Sequence, residues 1–274
     1  MLFVYFCILL LAFAWYSSFA RDKKKYACLV AFVLFLIAFL KSVNFGSDDL
    51  LFYYEHYNSL ANMSYEYIRT LGKSGRLKDA GFSIVAKVFA DLGVPDQLWI
   101  GLIGLLFGVS IAVIIYKYSR HGFLSVLMIF ALSYLSFSLT GIRQTVAFAL
   151  TIIAYTYAKE KKIILFFSLV VLASIFHSSA LVFLIAYFLP RKSIPQKTWF
   201  VIILTQIIIS VFFPSSFRRM IQVIGWNDSL ISYSTASRSL SWAGFIIQLS
   251  IFIFCLYYGR SGFANERKHV LILI

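Results

Sequence analysis

Charge is scarce in this sequence, and acid is scarcer than base. Asp, Glu, Lys and Arg make up 13% of the 274 residues, where a soluble domain carries about a quarter. Hydrophobic residues make up 61%, and the mean hydropathy is +0.85. A soluble fold exposes too much surface for so few polar residues to cover. That excludes an ordinary water-soluble domain and leaves lipid as the solvent. Cysteine is rare as well. Cys7, Cys28 and Cys255 each sit inside an apolar run, with no CxxC or Cys/His spacing, so neither a disulfide framework nor a zinc site is supported. The four prolines and 14 glycines form no linker and no repeat of fixed period is visible, so residues 1–274 read as one domain. There is no Gly-rich nucleotide loop and no DxD-type motif in a loop assigned to the cytoplasm. A sugar-nucleotide donor is therefore disfavoured, and no metal or cofactor is expected.

With 11 acidic residues against 25 Lys and Arg, the net charge is +14. On a soluble chain that balance would point to nucleic acid. Here the basic residues punctuate apolar runs. They read as topology signals, with positive charge retained on the cytoplasmic side of a membrane, and no nucleic-acid partner is expected. The 29 Phe and 17 Tyr suit helix packing and the aromatic belts of a bilayer.

A bilayer core takes about 20 apolar residues per helix, with about 17 as a practical minimum. By that measure spans fall at 2–20, 26–40, 98–116, 123–139, 142–158, 199–213 and 242–258. The stretch 163–189 is interrupted by His177-Ser178-Ser179 and is either one long tilted helix or a hairpin of two short ones. The hairpin leaves a clear majority of Lys and Arg on one side; a single helix leaves the two sides nearly equal. The positive-inside rule thus selects the hairpin. The result is an all-α polytopic membrane protein of about nine complete transmembrane helices. The apolar end 270–274 reads as the start of a tenth, cut off. No basic residue precedes the first apolar run, and Arg21, Lys23, Lys24 and Lys25 follow it. That order is the reverse of a secretory signal, so the first helix reads as uncleaved with its N-terminus outside. The polar segments 41–97 and 214–241 become outer loops. Within the first, Phe82, Val85, Phe89 and Leu92 form one helical stripe, with Lys87 and Asp91 off it. This reads as an interfacial helix or as a short helix packed on the bundle.

On that topology the unusual polar residues share the outer face. They are Asp48 and Asp49 beyond the second span, Arg143 and Gln144 at the start of the fifth, His177 at the hairpin turn, and Arg218 and Arg219 in the last outer loop. An arginine near the bilayer centre costs roughly 2.5–3.5 kcal/mol on insertion scales and is usually functional; the alternative is an interfacial arginine snorkelling to headgroups. Likewise Asp48 and Asp49 are either catalytic carboxylates or a solvated helix end. His177 is either a proton acceptor or a turn histidine bonded to a backbone carbonyl. Arg218 and Arg219 hold either a substrate phosphate or lipid headgroups. Together such groups suit glycosyl transfer from a lipid pyrophosphate. Arginines bind phosphate bidentately, a carboxylate or neutral histidine takes a hydroxyl proton, and tyrosines such as Tyr53 stack on sugar. Two other classes stay open, a lipid-oligosaccharide flippase or other transporter and a membrane glycan acyltransferase. The lack of internal repeats argues against the transporter.

The run Gly141-Ile142-Arg143-Gln144-Thr145-Val146-Ala147, the basic turn 159–162, and Ala173-Ser174-Ile175-Phe176-His177-Ser178-Ser179-Ala180-Leu181 resemble motifs of the EpsG family of exopolysaccharide and O-antigen (Wzy-type) polymerases. Gly46-Ser47-Asp48 with Tyr53 resembles its Gly-[Ser/Thr]-Asp segment, and Lys78-Asp79-Ala80-Gly81-Phe82 its Glu-x-Gly stretch, with Asp79 where glutamate is common. The resemblance runs over about 41–189. It implies a polymerase of undecaprenyl-pyrophosphate-linked oligosaccharide repeat units at the outer face of a bacterial cytoplasmic membrane, with a flippase and a chain-length regulator as partners. On the outer-face topology, Asp48, Asp49 and His177 are the candidate catalytic residues, and Tyr53, Arg143, Gln144, Arg218 and Arg219 the candidate substrate contacts.

Overall fold

The computed structural model of the chain describes residues 12, 14–16, 22–41, 48–77, 79–188, 201, 204 and 205, with the side chains of Asp48 and Asp49 outside that set. The chain forms two compact units, Met1–Arg191 and Lys192–Ile274; the helices below all belong to the first. The span predicted at 242–258, the start at 270–274, and most of 2–20 and of 199–213 lie outside the described residues.

Every described element is helical. In chain order they are α1 (Lys23–Phe39), α2 (Asp48–Leu60), α3 (Tyr65–Lys73), α4 (Ala80–Asp91), α5 (Asp96–Tyr118), α6 (Gly122–Ala131), α7 (Tyr134–Thr140), α8 (Ile142–Lys159), α9 (Ile163–Phe176) and a 3-10 helix, Ser178–Tyr187. Asp22 starts α1 by accepting from the backbone N–H groups of Lys24 and Lys25 at 2.9 and 3.3 Å, a side-chain N-cap. Segment 41–97, predicted as a loop with one helix, is instead helical through most of its length.

Among the described residues one helix, α5, is long and apolar enough to cross a membrane, or two if α6 and α7 count as one broken span bent by 57°. The nine-span reading is therefore not reproduced. At about 1.5 Å per residue, the 23 residues of α5 match the roughly 30 Å hydrocarbon core. The 17 residues of α1 and 14 of α9 fall shorter, and α8 carries Arg143, Gln144 and Lys159 within its apolar sequence. The described helices nonetheless leave large apolar side chains uncovered, among them Phe32, Val109, Leu124, Ile164, Val171 and Ile185.

The backbone of the unit is the pairing of α1 with α5. A Cβ on Gly104 would collide with Ala38, and one on Gly108 would lie 2.7 Å from the Ala31 carbonyl oxygen. These two glycines, four apart on one face, let the helix backbones approach as small residues do in membrane bundles. The stretch 163–189 breaks at His177 and folds back. Phe166, near the start of α9, lies 5.4 Å ring to ring from Tyr187 at the far end of the 3-10 helix, and Phe167 lies 5.8 Å from the same ring. Those contacts require an antiparallel hairpin.

Polar side chains gather at two ends. At one, Gln97 of α5 donates to the carbonyls of Phe39 and Lys41, and Lys41 donates to the Leu139 carbonyl. At the other, Glu160 pairs with Lys117 at 2.7 Å and Lys162 at 2.8 Å.

α4 follows the predicted stripe in part: Phe82 is in the core, and Val85 and Phe89 pack against it. The buried residues of the helix are Phe82, Ser83, Ala86 and Lys87, while Leu92 is 73% exposed. Lys87 is buried because its ammonium reaches the Leu60 carbonyl at 3.2 Å and Asp91 at 2.6 Å. The helix is packed against α2, α3 and α9.

Candidate functional site

The site starts from two helices that lie side by side. α2 buries Leu50, Tyr54, Tyr57 and Leu60 in the core. That rotation leaves Phe52, Tyr53 and His56 on its flank. Tyr54 and Tyr57 fix the rotation through hydroxyl bonds to Gln97 (2.7 Å) and to the Val94 carbonyl (2.8 Å). α4 meets this flank with Phe82 and Ser83. His56 Nε2 lies 2.8 Å from Ser83 Oγ, and its ring stacks parallel to Phe52. Tyr53 and Phe82 meet edge to face at 6.0 Å.

α4 also approaches α9, because Gly81 has no side chain. A Cβ there would collide with the side chain and carbonyl of Ile175. The approach sets Asp79, the residue preceding α4, beside His177, which follows α9. Asp79 adopts a left-handed backbone (φ 52°) and makes no side-chain cap to its helix. Its carboxylate is turned instead to two cations or donors. Oδ2 lies 3.0 Å from His177 Nδ1 and 3.4 Å from Arg143 Nη1. Burial raises the Asp79 pKa, but the hydrogen bond and charge of His177, the charge of Arg143 and the Ser178 backbone N–H outweigh it. The carboxyl therefore sits below the ordinary 3.8 of an aspartate. A carboxylate at this position also fixes the His177 ring orientation, with Nδ1 as its donor.

Arg143 is the hub. Its guanidinium reaches Asp79, donates from Nε to the Tyr53 hydroxyl at 3.1 Å, and lies 5.8 Å from the Tyr53 ring centre. It also lines a cavity of about 190 Å³. The cavity takes Tyr53, His56, Arg76 and Arg143 as polar walls, with Ser83 beside His56 and with Phe52, Leu77 and Phe82 as apolar ones. This is smaller than the roughly 300–1,000 Å³ of ordinary small-molecule pockets.

Sequence-expected residues divide accordingly. Arg143 and Tyr53 line the cavity, and His177 joins them through Asp79 without lining it. His177 is bonded to a carboxylate, not to a backbone carbonyl. Gln144 is exposed and is not among the lining residues. Asp48 and Asp49 begin α2, with side chains outside the described set, and Arg218 and Arg219 lie outside the described residues altogether. Sequence reasoning missed Asp79, His56, Arg76 and Ser83 as site residues. Only Asp79 had left a trace, as the acidic position of the Asp-x-Gly stretch. Among the described residues no group of three or more His, Cys, Asp or Glu gathers.

No curated protein matches the chain, and no solved structure does. A family match covers residues 24–274, reaching well past the 41–189 over which the motifs are recognisable. It includes every cavity residue, so the chain belongs to the EpsG family.

Proposed function

We propose that the protein polymerises lipid-pyrophosphate-linked oligosaccharide repeat units, as a multi-pass enzyme of the bacterial cytoplasmic membrane acting at its outer face. EpsG membership supports polysaccharide biosynthesis and membrane association. The uncovered apolar side chains on α1, α5, α6 and α9 support helices that face lipid. The distribution of Lys and Arg supports the N-terminus and the cavity end outside, with the Lys117–Glu160–Lys162 end in the cytoplasm.

One observation carries the reading. An arginine at the start of an apolar helix is held by a carboxylate and a tyrosine so that it borders a small cavity with a second arginine, a histidine and aromatic rings. Two guanidiniums suit a diphosphate leaving group. The aromatic walls suit the sugar ring at the reacting carbon. The acceptor hydroxyl attacks the anomeric carbon, the bond from that carbon to the pyrophosphate oxygen breaks, and the arginines stabilise the departing charge. Asp79 keeps Arg143 pre-aimed, and His177 keeps Asp79 in place. Undecaprenyl pyrophosphate is the lipid this family implies, with a flippase supplying units and a regulator setting chain length.

The test is the polysaccharide of producing cells that carry Arg143→Ala as their only copy. Long chains vanish and lipid-linked single units accumulate while the protein remains in the membrane. A normal ladder of chain lengths refutes the proposal.

A further inference from the structure

We propose that His56, positioned by Ser83 and Phe52, is the proton acceptor that activates the attacking hydroxyl in this cavity. The inference rests on the polymerase reading above and assigns a role that His177 had been expected to fill. His177 is spent on Asp79: its Nδ1 faces the carboxylate at 3.0 Å, and it is not among the residues lining the cavity. His56 lines the cavity directly, on the same wall as Tyr53 and facing the same space as Arg76 and Arg143.

Its setting is that of a base. The ring is clamped by the parallel face of Phe52 at 5.8 Å and by Ser83 Oγ at 2.8 Å from Nε2. Ser83 is 1% exposed, so that contact is shielded from water. In the tautomer whose Nε2–H donates to Ser83 Oγ, Nδ1 carries the lone pair that takes up a proton. Burial, then the charge of Arg143, push His56 below its ordinary 6.5, so the imidazole is neutral at neutral pH and ready to accept. Arg76 and Arg143 face the cavity and Asp79 lies behind Arg143. On α4, Lys87 pairs with Asp91, and on α5, Asp96 accepts from Asn58.

The step balances without a further reactant. The acceptor O–H proton passes to His56 Nδ1, the oxygen bonds the anomeric carbon, and the carbon–pyrophosphate bond breaks. Its electron pair leaves with the lipid pyrophosphate, held by Arg76 and Arg143. The imidazolium then loses its proton to water.

The experiment uses the purified full chain in proteoliposomes, with lipid-linked repeat units extracted from producing cells that lack this protein. Inorganic pyrophosphate serves as a separate binding probe. His56→Gln is expected to bind pyrophosphate within about twofold of the parent, while turnover falls by on the order of 100-fold or more. Added imidazole is expected to restore part of the turnover of His56→Ala. Near-normal turnover in His56→Gln, or a turnover loss matched by lost pyrophosphate binding, overturns the assignment. If His56→Gln fails to insert, Ser83→Ala decides. The acid limb of its pH–rate profile should move to lower pH, because the bond that favours the imidazolium is gone, and an unmoved limb overturns the proposal. A dead Arg143→Lys beside an active His56→Gln removes only the base. An active Arg143→Lys and a parent that binds no pyrophosphate remove the diphosphate reading itself.

Discussion

Asp79 joins backbone strain to charge. A left-handed backbone is uncommon outside glycine, although Asp and Asn tolerate it better than most, and such residues cluster where function constrains the chain. Asp79→Asn keeps that tolerance and the size of the side chain but removes the charge. It is expected to lower stability by about 1–3 kcal/mol at neutral pH, since Arg143 and His177 lose the charge of the Asp79 carboxylate. The pH dependence follows from the lowered folded pKa. The Asp79 contribution is fully present above the unfolded value of 3.8 and fades as pH falls through the folded value. Melting curves of parent and variant should therefore differ above the ordinary carboxylate value of 3.8 and converge only as pH falls through the lowered folded value. A constant difference down to the lowest pH would show that the carboxylate's charge is not what matters. His177→Ala should weaken pyrophosphate binding about tenfold by releasing Asp79, and His177→Gln, whose amide can donate, should recover most of it. Equal binding in all three proteins would leave His177 outside the site. Arg143 was legible because an arginine entering an apolar helix has a cost that needs a reason. Asp79 was not, because its partner His177 lies 98 positions away and nothing local marks the pairing. His56 was hidden for a similar reason: only the rotation of α2 and the arrival of Ser83 from α4 make it a cavity residue.

At the scale of elements, two close approaches hold the arrangement. Gly81 lets α4 reach α9, and Gly104 with Gly108 lets α5 reach α1. Gly81→Leu is expected to push α4 from Ile175 and separate Asp79 from His177. Polymer formation should fall at least tenfold in a protein that still inserts, because a misplacement of about 1 Å can cost 100-fold. Unchanged chain lengths would show that this contact does not position the site. The break at His177 was readable from polar residues interrupting an apolar run, and the ring contacts of Phe166 and Phe167 with Tyr187 bear out the hairpin. The stripe assigned to α4 holds at Phe82, Val85 and Phe89, which pack into or against the core, and fails at Leu92. Hydrophobic spacing named Leu92, which is exposed, and set aside Lys87, which is buried against the Leu60 carbonyl and Asp91. Periodicity ranks side chains by polarity and takes no account of a partner that neutralises a buried ammonium. The helices within 41–97 were under-read because their polar faces gave no sustained apolar run.

For the whole molecule, the helical character seen throughout the described residues followed from the apolar runs, while the number of spans did not follow from the described helices. Runs of apolar residues mark where a chain can enter lipid. They do not fix helix length, and α6 and α7 show a run broken by a bend. Sidedness rests on charge, and it is testable. In a background with Cys7, Cys28 and Cys255 replaced, Arg76→Cys should react with a membrane-impermeant maleimide added outside cells. Glu160→Cys should react only after the membrane is opened. The reverse pattern would invert the topology and move the cavity to the cytoplasm.

The most direct measurement is the product of the purified full chain, reconstituted in vesicles with lipid-pyrophosphate-linked repeat units and read by mass spectrometry. A series of products spaced by one repeat unit, with one lipid pyrophosphate freed per bond formed, is the predicted result. Units that cross the bilayer unchanged in mass, or that gain an acyl group without lengthening, would contradict it.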